Sequence, residues 1–307
     1  MKLVFFGTPN FAAQIADTLM TQGVEIVACV SAPDAPVGRK QILSPSAVSE
    51  WAARHNIPVL KPQKVKDAEF QQELQSFPAD AWLVVAYGKI LPQSFLDLMP
   101  GKVINIHPSI LPKYRGPAPM QAALRHGDSI TGTTLMVMDR KMDHGPIIGQ
   151  IETSLSPDET YPELAHRMVD LCATLVMDFL PRYLSGEIDA IEQEHDKATY
   201  VSLLQKSDGQ IDWADSAENI YNQHRAYTPW PGTFGYLGTT KVDLIFSGYD
   251  QESQLGAGEW TINGDSMCIG TGKGQVLVSQ VKQAGKLWWN VSQVKQAWGE
   301  KGKLDLL

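Results

Sequence analysis

Short apolar runs alternate with helix-period segments through the first half of the chain. Leu3–Phe6 is a continuous apolar run that stops at Gly7-Thr8-Pro9. A helix is predicted from there to about Met20, with Asn10 as its cap and Phe11, Ile15, Ala16 and Leu19 at helical spacing. Val24–Val30 is β-rich and closes at Ser31-Ala32-Pro33-Asp34. Further strands are predicted at Ala81–Tyr87, Lys102–Ile106 and Gly132–Met138, with helices at Ser46–His55, Asp67–Ser76, Ala118–His126 and Asp158–Leu184. Strands that are apolar along their whole length are buried on both faces. Separated by helices, they predict a parallel sheet covered on both sides.

The pattern changes after Ser185-Gly186. Residues 186–200 are polar and acidic and read as a linker. One helix is predicted around Asp215–Arg225. From Phe234 onward short alternating segments dominate, with glycine-bearing turns at roughly ten-residue spacing, the pattern of a small β-barrel or sandwich. The expected division is an α/β domain at 1–189, a linker at 190–205 and a β-rich domain at 206–307.

Composition narrows the class. The 307 residues are 43% hydrophobic with a net charge of −8, which excludes a disordered chain or a disulfide-stapled miniprotein. The acidity argues against a protein that coats nucleic acid by bulk charge, yet leaves room for a local basic patch. Cys29, Cys172 and Cys268 form no CxxC pair and are expected as buried, reduced thiols rather than zinc ligands. No apolar run approaches the roughly 18 residues that span a bilayer, and the N-terminal run is too short for a secretory signal. A cytoplasmic protein with no membrane contact is expected. Gly7-Thr8-Pro9-Asn10-Phe11-Ala12 lacks the later glycines of a dinucleotide fingerprint. No Gly-Lys pair is followed by Ser or Thr, so a P-loop is excluded, and the histidines show no metal-ligand spacing.

The candidate chemistry sits in residues 103–119. Asn105 and His107 are two apart on a predicted strand, so both side chains leave one face near its C-terminal end, where open α/β sheets bind ligands. As a lone pair they could equally do no more than satisfy backbone groups. The loop Met138–Pro146 adds a carboxylate, Asp143, although Asp139 or His144 could stand in its place. Together, an amide, an imidazole and a carboxylate suit acyl transfer to an amine without a covalent enzyme intermediate. The amide donates to a developing oxyanion, and the imidazole, oriented by the carboxylate, moves protons.

Asn105-Ile106-His107-Pro108-Ser109-Ile110-Leu111-Pro112-Lys113-Tyr114-Arg115-Gly116 with Met142-Asp143-His144-Gly145 resembles the folate-dependent formyltransferases, in particular the branch acting on initiator methionyl-tRNA. Phe6–Ala12, Pro33–Arg39, Val84–Pro92, Ile211–Trp213 and Tyr227–Gly232 resemble further segments of that family, so the match covers nearly all of the chain and weakens beyond about residue 250. The resemblance implies a Rossmann-like, mostly parallel sheet with helices on both faces, followed by a small OB-like β-barrel. It implies N10-formyltetrahydrofolate as donor, methionyl-initiator tRNA as partner and no metal. Asn105, His107 and Asp143 become the catalytic residues, with His107 protonated. Tyr87, Gly88, Lys89, Ile90 and Leu91 would lie along the pterin, Ser109, Ile110, Leu111 and Pro112 would close the pocket, and Asp139 would join the donor-binding residues.

For tRNA, the resemblance points to Arg39 and Lys40 in the Pro/Gly loop. The region from residue 201 carries nine Lys/Arg against eleven Asp/Glu, a departure from a basic platform. A one-sided patch of Lys206, Lys241, Lys282 and Lys286 is expected instead. Trp288-Trp289 is expected to pack in a core, with stacking on nucleotides as the alternative. A monomer suffices for this reading. The competing readings are a sugar-nucleotide N-formyltransferase, a formyltetrahydrofolate-hydrolase-like domain, and a non-catalytic folate- or RNA-binding module. Asn105 speaks against the second, and the intact Asn/His/Asp set against the third.

Overall fold

The structure, a computed structural model, describes residues 1–38 and 41–305, so the Arg39-Lys40 pair lies outside the described residues. The chain forms two compact units. The first comprises 1–119, 131–154 and 165–202, and the second 120–130, 155–164 and 203–307.

In chain order the first half contains β1 (Lys2–Gly7), α1 (Asn10–Thr21), β2 (Glu25–Val30), β3 (Ala35–Val37), β4 (Ile42–Ser44), α2 (Ala47–Arg54), β5 (Val59–Leu60), α3 (Ala68–Gln75), β6 (Ala81–Val85), α4 (Gln93–Leu96), β7 (Val103–His107), α5 (Pro119–Arg125), β8 (Ile130–Val137), β9 (Ile147–Ser154) and α6 (Tyr161–Leu184). Among the described residues one sheet runs β5-β2-β1-β6-β7-β8-β9. It is parallel from β5 to β7, and β8 then pairs antiparallel with β7. Alternate residues of β1 explain the layers. Leu3 and Phe5 pack with Ile15, Leu19 and Leu175 on one face, while Val4 and Phe6 pack with Trp82, Val84 and Phe95 on the other.

Two local departures from the sequence pattern have backbone causes. Asn10 is the first helical residue of α1 rather than its cap, and Pro9 precedes it with no side-chain cap. β6 ends at Val85 rather than Tyr87, because Ala86 (φ 47°) and Gly88 (φ 79°) turn left-handed and lift the chain off the sheet. Ser46 caps α2 as a serine should, its side chain accepting from the Ser49 N–H.

The segment read as a linker is built into the first unit up to Ser202. Ile191 and Ile147 exchange backbone hydrogen bonds at 2.7 and 2.8 Å. The Arg115 N–H donates to the Thr199 carbonyl, and the Val201 N–H to the Arg115 carbonyl, both at 2.8 Å. Its polar side chains are therefore not all solvated, and Gln193 is buried.

The second unit contains α5, then α7 (Ala217–Tyr227), β10 (Thr233–Leu237), β11 (Thr240–Asp250), β12 (Glu259–Asn263), β13 (Ser266–Gly270), β14 (Gln275–Gln283), β15 (Trp289–Asn290), α8 (Val291–Trp298) and β16 (Lys301–Lys303). The sheet order is β10-β11-β14-β13-β12-β16, with β15 on β14. Just beyond β16, the Asp305 N–H donates to the Tyr236 carbonyl of β10 at 2.8 Å, which joins the two edges. The sheet thus curls into a half-barrel rather than a sandwich. Trp213, Val242, Leu244, Trp260, Ile269 and Val276 are buried in its core.

His224 of α7 lies in this unit, buried, with its ring edge-on to Phe246 at 5.3 Å. Burial pushes its pKa down to about 4. The unfolded chain therefore binds a proton that the folded unit refuses between pH 6.5 and about 4, so stability falls as pH falls through that window. His224→Gln is expected to flatten the pH dependence of the urea midpoint there, removing a slope of at most about 1.4 kcal/mol per pH unit.

Candidate active site

β7 is buried along its whole length. Ile104 and Ile106 belong to the core cluster around α1 and α6, whereas Val103 packs on the opposite face with Trp82 and Val84. Alternation therefore puts Asn105 and His107 on the Val103 face. Asn105 pairs with Val84 of β6 and Met136 of β8, and His107 with Thr134. Asn105 is 9% exposed, and among the described residues its side-chain amide has no hydrogen-bond partner.

His107 is specified at both ring nitrogens. Nε2 lies 2.9 Å from the Tyr114 carbonyl oxygen. A carbonyl only accepts, so Nε2 carries a proton. Nδ1 faces Asp143 Oδ2 at 3.6 Å, an ion-pair separation rather than a hydrogen bond. The same Oδ2 accepts the Gly116 N–H at 2.8 Å. Tyr114 (φ 60°) and Asp143 (φ 48°) are both left-handed, a conformation that costs a non-glycine residue about 1–3 kcal/mol. Strain is thus stored at the two turns that hand their polar groups to His107.

The other loop candidates are engaged elsewhere. Asp139 Oδ2 sits 2.7 Å from His144 Nδ1, and Asp139 Oδ1 accepts the Lys141 N–H at 2.8 Å. The His144 ring stacks on His195 at 3.8 Å. Of Asp139, Asp143 and His144, Asp143 is the residue that reaches His107.

Residues 109–112 form a tight turn beside His107. The Thr134 hydroxyl donates to the Ser109 carbonyl at 2.7 Å and accepts the Leu111 N–H at 3.1 Å. Gln150 Nε2 donates to the Leu111 carbonyl and to Thr134 Oγ1, both at 2.9 Å. Ser109 and Leu111 are buried, and Ile110 and Pro112 are half-buried.

Tyr87–Leu91 follows β6, next to β7. The Tyr87 side chain turns into the core against Phe6, and burial pushes its phenol up to about 12, so it stays neutral. Gly88 and Ile90 are exposed, Lys89 is half-buried and Leu91 is buried. Among the described residues the N–H groups of Gly88, Lys89, Ile90 and Leu91 have no hydrogen-bond partner. Ile90 is 82% exposed. Lys89 Nζ donates to the Pro62 carbonyl at 2.6 Å. Gln63, Lys64, Val65, Lys66, Lys89, Ile90 and Pro92 line an open groove of about 400 Å³. A second groove, of about 390 Å³ between α1, α2 and α6, contains none of the candidate residues.

Three residues beside the site carried no signal that assigned them. Arg115 lies in the quoted segment without a role, and Gln193 and His195 lie in the polar stretch read as a linker. Arg115 is 1% exposed, and its guanidinium reaches both Gln193 and His195. Among the described residues no group of three or more His, Cys, Asp or Glu is placed to hold a metal ion, and no helix is long and apolar enough to cross a membrane.

The formyl transferase family matches residues 1–180, and the formyl transferase C-terminal domain family matches residues 203–296. The chain is 37% identical over 291 residues to a methionyl-tRNA formyltransferase of Thermotoga maritima, covering 93% of this chain and 92% of the relative. It is 40% identical over 236 residues to a methionyl-tRNA formyltransferase of Chloroflexus aggregans, covering 77% and 76%. Among solved structures it shares its fold with an N-formyltransferase of Helicobacter canadensis in complex with folinic acid and dTDP-3-aminofucose. That likeness has a TM-score of 0.65 at 20% identity and covers 92% of this chain and all of the other.

The site's turns depend on close backbone approach. A Cβ on Gly145 would lie 2.0 Å from the Val137 carbonyl oxygen, which is backbone and cannot rotate away. Gly145→Ala is expected to lower the unfolding free energy by about 1–3 kcal/mol in urea titrations. Gly23→Ala, with nothing within 4 Å, is expected to cost about 1 kcal/mol or less, from its positive φ alone.

Proposed function

The chain belongs to the formyl transferase family, and on that premise we propose that Asn105, His107 and Asp143 carry out formyl transfer at the carboxyl end of β7. The donor is N10-formyltetrahydrofolate and the acceptor is the α-amino group of methionyl-initiator tRNA, a step of translation initiation. The observation that carries the catalytic reading is the unengaged Asn105 amide beside the His107–Asp143 pair. A pure binder has no use for an acid–base pair next to a free donor.

In this reading the amine attacks the formyl carbon, a new N–C bond forms and the bond from the carbon to N10 breaks. Asn105 donates to the formyl oxygen as it gains charge. His107 contributes through Nδ1, since Nε2 is committed to the Tyr114 carbonyl. Asp143 stabilises the imidazolium and, directly or through water, passes the proton the amine loses on to N10, so that none is gained or lost overall. The pterin lies along the backbone of Tyr87, Gly88, Lys89, Ile90 and Leu91, and the unpaired N–H groups of Gly88, Lys89, Ile90 and Leu91 among the described residues support that placement. Ser109, Ile110, Leu111 and Pro112 close the pocket, and Asp139 lines it through its pair with His144. The donor's carboxylate tail follows the groove with Lys64, Lys66 and Lys89, which supplies the opposite charge.

Residues 1–189, completed by 190–202 packed into the same unit, serve as the catalytic domain, and 206–307 as the accessory barrel. Arg39 and Lys40 contact the tRNA. On the barrel, Lys282 Nζ lies 5.4 Å from the exposed Trp288 ring, which supports a stacking surface there. Trp289 packs on the barrel core instead. Asp243, 2.8 Å from Lys241 and 4.0 Å from Lys282, offsets part of that basic patch. The protein works in the cytoplasm as a monomer.

Two assays test this. Given formyltetrahydrofolate with either charged initiator tRNA or an amino-sugar nucleotide, the protein is expected to formylate only the tRNA. Formylation of the sugar alone would transfer the assignment to the sugar branch. His107→Ala and Asp143→Asn are each expected to lower kcat at least about a hundredfold, and Arg39→Ala to raise the KM for tRNA without changing donor binding.

A further inference from the structure

Gln193 is 5% exposed and uses its whole hydrogen-bonding capacity in one place. Its Oε1 accepts from Arg115 Nε at 3.2 Å and from Arg115 Nη2 at 2.6 Å. Its Nε2 donates to the Asp143 carbonyl at 3.0 Å and to the Gly145 carbonyl at 2.8 Å. An amide has two donors and two acceptor lone pairs, so every one is filled and the orientation is fixed by chemistry. Arg115 is fixed in turn. Nη2 also meets His195 Nδ1 at 2.9 Å, and Nη1 donates to the Tyr200 hydroxyl at 3.0 Å. A guanidinium only donates, so His195 Nδ1 is unprotonated.

Both turns that serve His107 run into this one cluster. Asp143 and Gly145 hang from the Gln193 amide. The 114–116 turn is tied to residues 199–201 by the Tyr114 N–H to Thr199 Oγ1 bond at 2.8 Å and by the paired backbone bonds of Arg115. A Cβ on Gly116 would lie 2.2 Å from the Val201 carbonyl oxygen, so the two segments are in backbone contact. Burying an arginine whose hydrogen-bond partners, among the described residues, include no carboxylate is costly, and it needs a return elsewhere.

We propose that Gln193, clamped by Arg115, is a positioning residue for formyl transfer: it holds the left-handed Asp143 turn so that the carboxylate stays on His107. The proposal rests on the reading of Asp143 as the partner of His107 in catalysis. Gln193 touches neither substrate, so its effect falls on the chemical step rather than on binding. A displaced carboxylate costs rate steeply, on the order of a hundredfold for an ångström.

The test is steady-state kinetics and thermal unfolding of Gln193→Glu and Gln193→Ala beside Asp143→Asn. Glutamate keeps the shape and the Arg115 contacts but sets an oxygen against two carbonyl oxygens. The expected result for Q193E is a kcat roughly ten- to a hundredfold lower, with both KM values within about twofold and an unfolding midpoint near that of the parent. Q193A, which loses the clamp as well, is expected to fall at least as far in kcat. A normal kcat in Q193E with D143N inactive overturns the positioning role and leaves the Asp143 reading intact. An active D143N overturns both. A Q193E defect confined to KM would make this segment part of a binding surface and overturn the proposal.

Discussion

The His107 ring meets a different partner at each nitrogen, and the turns that supply those two partners are held by a third segment of the chain. The ring comes from the last residue of β7. The carbonyl that takes the Nε2 proton comes from Tyr114, seven residues on, and the carboxylate that faces Nδ1 comes from Asp143, after β8. Each partner sits on a turn that would relax if left alone, since both residues are left-handed. The contacts that hold those turns come from a third piece of chain, residues 191–201. A histidine and carboxylate brought together at a strand end therefore need three separate loops in register, and they obtain them from the Gln193 side-chain amide and from backbone pairing at residues 115 and 199–201 rather than from a large apolar contact.

The sheet supplies the frame. β6 and β7 run parallel, with Val84 opposite Asn105, so their carboxyl ends open side by side and the turn after β6 follows next to the end of β7. β8 then runs antiparallel, which lets the buried Thr134, opposite His107, fasten the 109–112 turn through its hydroxyl. Strands whose alternate residues fill two separate apolar layers leave the strand ends as the place where polar groups such as Asn105 can stay unengaged.

Most of this frame was legible in the sequence because apolar periodicity reports burial directly. β1, β2, β7, β8, α2, α3 and α6 lie close to their predicted ranges. The short strands β5 and β16 and the β3–β4 hairpin were not legible, since two or three residues carry no period. The candidate site was half legible. Spacing puts Asn105 and His107 on one face of β7, and the Met138–Pro146 loop offers Asp143 with Asp139 or His144 as alternatives; the structure separates these by placing Asp143 on His107 and pairing Asp139 with His144. Arg115, Gln193 and His195 were invisible for a physical reason. Arg115 and Gln193 are buried by contacts across roughly 80 residues of sequence, and a polar stretch that is buried in part by hydrogen bonding looks, residue by residue, like one that is solvated.

The arrangement requires that His107 keep its Nε2 proton on the Tyr114 carbonyl. Nitrogen-15 NMR of histidine-labelled protein tests it directly. The expected neutral His107 carries its proton on Nε2 and leaves Nδ1 bare. A neutral form with the proton on Nδ1 and a bare Nε2 would contradict it.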